Sequence, residues 1–313
     1  LFSFLSQVLT GLFTAQGDSK TPLKANFFGL ILNMILDPLL VLGVGPFPRL
    51  EVVGAAVATV TAQIIVLLIL VTEILRDHGE ANVLHKIRLL SRPDIACLKG
   101  VFRIGTPTAL QGSLYCIISM ILTRMVSGFG DGAIAVQRVG GQIESLSWNT
   151  ADGFGSALNA FMGQNYGAGK KDRVRKGFWG GMKIEMVYGM FIFLVCFFFA
   201  EPVVRLFVSD TDVIKEGVTY LKLISFMYLL PAVTNGIQGY FRGIGDLKIT
   251  LISSMVNMGV RVLAAFVFVF GFAMKVETFP FACLAGWIAM LITEVPLLVR
   301  SYGCLKRGEN AVI

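Results

Sequence analysis

Charge is scarce in this chain. Asp, Glu, Lys and Arg make up 15% of its 313 residues, 55% are hydrophobic, and the mean hydropathy is +0.73. A soluble domain carries about 25% charged residues, so this composition excludes an ordinary water-facing surface and indicates a membrane protein. Histidine is almost missing: His78 and His85 share one charged connector, leaving no His-based metal site or catalytic base in the apolar segments. Five cysteines (Cys97, Cys116, Cys196, Cys283, Cys304) are scattered through the sequence without the spacing of a disulfide framework or a zinc site. There is no GxxxxGK[ST] phosphate loop. A net charge of +7 raises nucleic acid as a partner, but the positive residues are divided among short segments between apolar runs. That distribution belongs to membrane topology. The expectation is a bilayer-embedded protein with no nucleic-acid partner, no cofactor and no enzyme chemistry, since no nucleophile with a base and no metal cluster falls inside the apolar runs.

What is present is a series of long apolar runs. Residues 1–14 form a partial helix, and eight stretches are long enough to cross about 30 Å of hydrocarbon. They lie near 22–44, 52–75, 104–127, 133–160, 178–200, 214–240, 248–273 and 279–300. The opening LFSFLSQVLTGLF is shorter than a span and lacks the basic start and cleavage site of a signal peptide, so the chain reads as starting in the middle of a helix. Of 27 Lys and Arg, 18 fall on one side of this map, four on the other (Arg49, Arg205, Lys215, Lys275) and five within spans. Cytoplasmic loops hold the positive excess. The predicted protein is therefore multi-pass, with its C-terminus in the cytoplasm.

One phrase is written twice. GDSKTPLKANFFGLILNMILD at 17–37 recurs as GDLKITLISSMVNMGVRVLAA at 245–265, and the upstream SQVLTGLFTAQGD aligns with TNGIQGYFRGIGD at the same offset. That offset holds six spans, an even number, so both copies have one orientation and an axis along the membrane normal should relate them. The predicted fold is all-α: a polytopic membrane helix bundle of two six-helix lobes related by a pseudo-twofold along the membrane normal, the first lobe incomplete. Residues 1–76 would hold the end of helix 4 with helices 5 and 6, 77–103 a basic cytoplasmic connector, 104–307 the complete second lobe, and 308–313 a tail. In each repeated turn the Gly allows a bend, and Asp18 or Asp246 is suited to cap the helix that follows.

Polar residues within spans are the candidate sites. In the span 133–160, Gln137, Gly141, Glu144, Trp148, Asp152, Gly155 and Asn159 fall within an arc of about 80° at 100° per residue. Such a stripe cannot face lipid. A carboxylate near mid-membrane costs at least ~2.5 kcal/mol unless it meets water, a partner or an ion. Glu144 is thus either a cavity acid that exchanges a proton for cargo or a structural partner of Arg138 or Arg261, and Asp152 is the second candidate. Trp148 offers a π face to an aromatic cation or packs between helices. Asn26, Asn33 and Asp37 share a face of the first complete span, where Asp37 either holds a coupling ion or braces groups freed by Pro38. Gln111 near Pro107, and Tyr228, Pro231, Asn235 and Gln238, are further cavity-lining candidates.

The duplicated GDxK turn, GPFPRLEVVGAAVATVTAQ after the first complete span, and GFGSALNAFMGQNYGAGKKDRVRKG in the middle together resemble the multidrug and toxic-compound extrusion (MATE) transporters, truncated at the N-terminus. The likeness runs from residue 1 to about 307. Thr14 stands where the family pattern RGxGDxKxP has Arg, and Thr250 where it has Pro. The resemblance implies secondary active export by a monomeric transporter: a cavity between lobes opens alternately to each side, inward flow of H+ or Na+ drives the exchange, and the cargo is a bulky organic cation. A flippase for lipid-linked saccharides, of the same fold superfamily, is the rival reading. Arg138 and Arg261 favour that anionic cargo, while Glu144 and Asp152 tilt against it.

Overall fold

The computed structural model describes residues 1–44, 48–76, 94–126, 131–207, 211–272 and 278–307; the side chains of residues 131–139 and of Leu122, Met125, Val126, Glu144, Leu146, Asp212, Thr278 and Phe279 are outside that description. The described residues form eleven α-helices: α1 (Phe2–Ala15), α2 (Lys20–Val41), α3 (Glu51–Arg76), α4 (Ile95–Val126), α5 (Asp131–Gly167), α6 (Lys171–Phe198), α7 (Ala200–Arg205), α8 (Thr211–Ser225), α9 (Leu229–Ile244), α10 (Leu247–Phe266) and α11 (Thr278–Arg307). Among the described residues, seven segments are long and apolar enough to cross a membrane: α2, α3, most of α4, α6, the α8–α9 segment Val213–Ile244, α10 with the turn after it, and most of α11. The eighth expected span is α5. Its 37 residues are long enough, at about 1.5 Å each, but its polar stripe keeps it from reading as uniformly apolar. Outward-facing Phe27 and Met34 of α2, and Val187 and Phe191 of α6, are exposed, as suits a chain whose solvent is lipid.

Pro38, Pro107 and Pro296 sit inside continuous helices, whereas Pro231 marks a break. Pro231 has no N–H to bond back into the preceding turn, and there the chain tightens into a 3₁₀ turn at Phe226–Tyr228 between α8 and α9. Of the expected connector 77–103, residues 77–93 are outside the described residues, and α4 already begins at Ile95. Asp94 Oδ1 accepts the Ala96 amide at 3.1 Å and the Asp94 carbonyl accepts that of Leu98 at 2.9 Å, an N-terminal cap that draws residues 95–103 into the helix.

The chain divides into two units, Leu1–Pro93 and Asp94–Ile313. In the first, α2 packs on α3 and α1 on α3; a Cβ at Gly54 would lie 2.5 Å from the Leu40 carbonyl oxygen. In the second, α5 packs chiefly on α9, α10 on α11, α6 on α5 and α9, and α4 on α10. Small residues let α5 and α9 approach closely, the usual device where lipid supplies no hydrophobic drive: a Cβ at Gly239 would lie 2.7 Å from the Gly155 carbonyl oxygen. Met162, Phe178, Tyr240 and Phe241 form one buried cluster of this unit, and Leu221, Ile224, Tyr228 and Met290 belong to another.

The repeated turn has the same backbone in both copies. Gly17 and Gly245 are left-handed, with φ of 91° and 88°. In the first copy, Gly17 N–H reaches Thr14 O at 3.0 Å and Asp18 N–H reaches Phe13 O at 3.0 Å. In the second, Gly245 N–H reaches Arg242 O at 3.1 Å and Asp246 N–H reaches Phe241 O at 2.9 Å. Both are Schellman closures, whose left-handed residue is usually Gly. The acids differ. Asp18 Oδ1 accepts the Lys20 and Thr21 amides at 3.0 and 3.2 Å. Asp246 is buried and makes no side-chain cap to α10, so the capping role expected of both acids belongs to Asp18 alone.

Candidate functional site

Several of the residues singled out from the sequence meet in one place. A cavity of about 800 Å³ within Asp94–Ile313 is lined by Gln111 of α4, Trp148 and Asp152 of α5, and Asn235 and Gln238 of α9. The helical periodicity of α5 puts Gly141, Ser145, Trp148 and Asp152 on its wall. The C-terminal part of the polar stripe does something else. Gly155 lies against Asn235 and the Asn159 carbonyl against Gly243, so there the stripe is the α5–α9 packing seam and not cavity wall. Gln137 and Glu144 lie on α5, but their side chains are outside the described residues, as is that of Arg138.

The wall also carries residues that sequence reasoning passed over: Tyr115, Arg242, Ser254, Asn257 and Trp287, beside the already noted Arg261. Trp148 and Trp287 stack with centroids 4.8 Å apart and planes inclined by 31°, which gives the cavity a broad aromatic surface. The polar wall is tied together. Gln111 Nε2 donates to Ser254 Oγ at 2.6 Å, Gln238 Nε2 donates to the same oxygen at 3.2 Å, and Arg242 Nη2 donates to Gln238 Oε1 at 2.9 Å. Asn235 Nδ2 and Asn257 Nδ2 are buried without a hydrogen-bond partner, two donors held ready for an acceptor. Tyr228 and Pro231 line only a small neighbouring void of about 10 Å³ with Trp148.

Asn33 and Asp37 are elsewhere. A second cavity, of about 400 Å³, lies within Leu1–Pro93 and is lined by Asn26 and Asn33 but not by Asp37. Asp37 is half-buried one turn beyond, and its Oδ1 has no hydrogen-bond partner. The three residues share a helix, but the periodicity carries Asp37 past the end of the cavity.

The two cavities are built from equivalent positions. Gln7, Thr10, Asn26, Gly29, Leu30, Asn33, Thr59 and Ala62 of the smaller one correspond, at the offset that takes Gly17 to Gly245, to Asn235, Gln238, Ser254, Asn257, Met258, Arg261, Trp287 and Met290 of the larger. The repeat thus extends beyond the quoted phrase to α3 and α11, where sequence similarity is too faint to see.

Two buried acids also escaped notice, both in spans read as simply apolar. Glu185 of α6 and Glu294 of α11 are 1% and 0% exposed. An acid inside a span is itself the signal that would have found them.

An all-helical membrane bundle with an internal repeat and a large polar, aromatic cavity is the architecture of a membrane transporter. The MatE family model matches residues 107–267, half of the chain, and the chain belongs to that family. A second model, Lipid II flippase MurJ, matches residues 1–129. The "Probable multidrug resistance protein NorM" of Thermotoga maritima is 28% identical over 291 residues, which cover 93% of this chain and 60% of that protein. The "FAD transporter" of Shewanella oneidensis is 28% identical over 247 residues, covering 76% and 53%. An outward-facing structure of a multidrug resistance MATE family transporter of the MOP superfamily shares the fold, with a TM-score of 0.85 at 21% identity, covering 96% of this chain and 66% of that one. The chain thus spans little more than half the length of the curated relatives it matches.

Proposed function

We propose that the full-length protein is a secondary active exporter of bulky organic cations, driven by inward H+ or Na+ and working by alternating access as a monomer in the cytoplasmic membrane, its C-terminus inside. Residues 1–76 then belong to an N-terminal lobe, and 104–307, with the helical turns from Ile95, to a C-terminal lobe. The observation that carries this reading is the cavity in Asp94–Ile313, where the stacked Trp148 and Trp287 supply π faces and Asp152 a negative charge. A cation over an aromatic ring gains ~0.5–2 kcal/mol, and a neighbouring carboxylate adds charge selectivity. Family membership and the NorM relative support multidrug export.

A second reading has its own observation. Arg242 and Arg261 line the same cavity, and the flippase model matches 1–129, which favours a lipid-linked anionic cargo. The two readings separate in one experiment: proteoliposomes of full-length protein given an H+ or a Na+ gradient, with ethidium as the cationic probe and a fluorescent lipid-linked saccharide as the anionic one. Gradient-driven ethidium movement supports export. Movement of the lipid alone overturns it in favour of the flippase.

A further inference from the structure

Glu294 stands behind the cavity wall, fully buried on α11. Its Oε1 accepts Ser253 Oγ at 2.7 Å and Gln238 Nε2 at a long 3.4 Å, and its Oε2 has no hydrogen-bond partner. A permanently ionised buried carboxylate is normally held by several donors, and this one has a single short bond. The elements around it offer little charge. From α10 come the Ser253 and Ser254 hydroxyls, from α9 the Gln238 amide and beyond it Arg242, and α6 directs its own buried acid, Glu185, at Gly236 instead. Arg242 is the charged side chain that the hydrogen bonds connect to Glu294. Gln238 spans the two, its Nε2 toward the carboxylate and its Oε1 toward the guanidinium.

We propose that Glu294 is a proton-binding site of the Asp94–Ile313 unit, read out in the cavity through Gln238 and Arg242. With Glu294 ionised, the amide is pinned between anion and cation, and the charge of Arg242 is compensated from behind the wall. When water delivers a proton to the carboxylate, the new O–H donates to Gln238 Oε1 and the amide turns over. Its NH2 then meets a guanidinium that has only donors, so Arg242 is left with uncompensated positive charge at the cavity surface. A bound organic cation is repelled, and proton and cation exclude one another at a distance. The equivalent position in the first repeat is Val66, so this device belongs to one unit only. Its use in exchange rests on the export reading above; the proton site itself does not.

The test uses full-length protein with two independent readouts. Infrared difference spectra across pH should show a protonated-carboxyl band that Glu294→Gln removes and Glu294→Asp keeps. Ethidium affinity, followed by tryptophan quenching, should fall as pH is lowered, approaching about tenfold per pH unit once the acid is mostly protonated. Glu294→Gln should be weak and flat with pH, Glu294→Asp should keep the slope, and Gln238→Leu should keep the band but lose the slope. A Glu294→Gln protein retaining the wild-type band or slope overturns the proposal. If wild type binds no ethidium, the cation reading falls and the infrared band alone decides the proton site.

Discussion

Position 66 holds valine and position 294, its equivalent in the second copy, holds glutamate, although both side chains are buried on helices at matching places in the repeat. The surroundings follow suit. Where Glu294 receives the Ser253 hydroxyl, the first repeat has Ala25, and where Gln238 relays to Arg242, it has Thr10 and Thr14. Conversely, Asp37 of the first repeat corresponds to Ala265 of the second. Duplication kept the turn geometry and cavity positions, and each copy acquired its own acid in a different helix. An intramembrane acid is costly unless it meets water, a partner or an ion, and Glu294 is coupled to a donor that the first copy lacks.

That coupling can be broken deliberately. Val66→Glu puts the acid into the first repeat without its donors and should cost at least ~2.5 kcal/mol, read as a loss of monodisperse protein and a lower thermal midpoint in detergent. Adding Ala25→Ser should recover about 1 kcal/mol by restoring one hydrogen bond. Equal midpoints for the single and double variants would mean that the two repeats do not correspond at this level.

The next effect concerns packing. Gly239→Ala drives a methyl into the Gly155 carbonyl at 2.7 Å, whereas its equivalent Gly11 has nothing within 4 Å in the described structure. Overpacking a tight seam costs about 1–3 kcal/mol, so Gly239→Ala should lower the thermal midpoint clearly. A neutral result would show that α5 and α9 can separate without loss.

The turn should behave alike in both copies. Gly17→Ala and Gly245→Ala each place a Cβ in left-handed backbone, at roughly 1–2 kcal/mol, and their midpoint shifts should agree. The smallest effect is asymmetric. Asp18→Ala removes a cap worth about 1 kcal/mol. The Thr21 hydroxyl first, then the Thr21 and Lys20 amides and the Lys20 charge, hold the Asp18 carboxyl below the usual carboxylate range against the opposing effect of partial burial. With its pKa lowered by folding, its contribution is present above the ordinary carboxylate pKa and lost as pH falls through the lowered one. The wild-type advantage over Asp18→Ala should vanish at that acid limit.

Much of this was legible in the sequence, and the rest was hidden for physical reasons. Long apolar runs fix where helices cross a bilayer, so the spans and the duplicated turn could be read directly. Trp148, Asp152, Gln111, Asn235 and Gln238 were found because polar residues on one face of a span have few places to go. Arg242 was missed because a basic residue at a helix end reads as a topology signal, and its cavity role depends on the position of Gln238 one turn back. Glu294 was missed because a single acid in LITEVPLL leaves the segment apolar on average. The α5 stripe was read as turned away from lipid and no further: periodicity gives a face, but not where along the helix that face passes from a cavity to a neighbouring backbone.

The central claim is that the cavity in Asp94–Ile313 is the cargo site of an exporter. It is tested most directly by gradient-driven ethidium transport in proteoliposomes of full-length protein, wild type against Trp148→Ala and Asp152→Asn. The expected result is transport by wild type under an imposed H+ or Na+ gradient, reduced at least about tenfold in each variant, equivalent to about 1.4 kcal/mol, with folded protein yield unchanged. Wild-type rates in both variants would contradict the account.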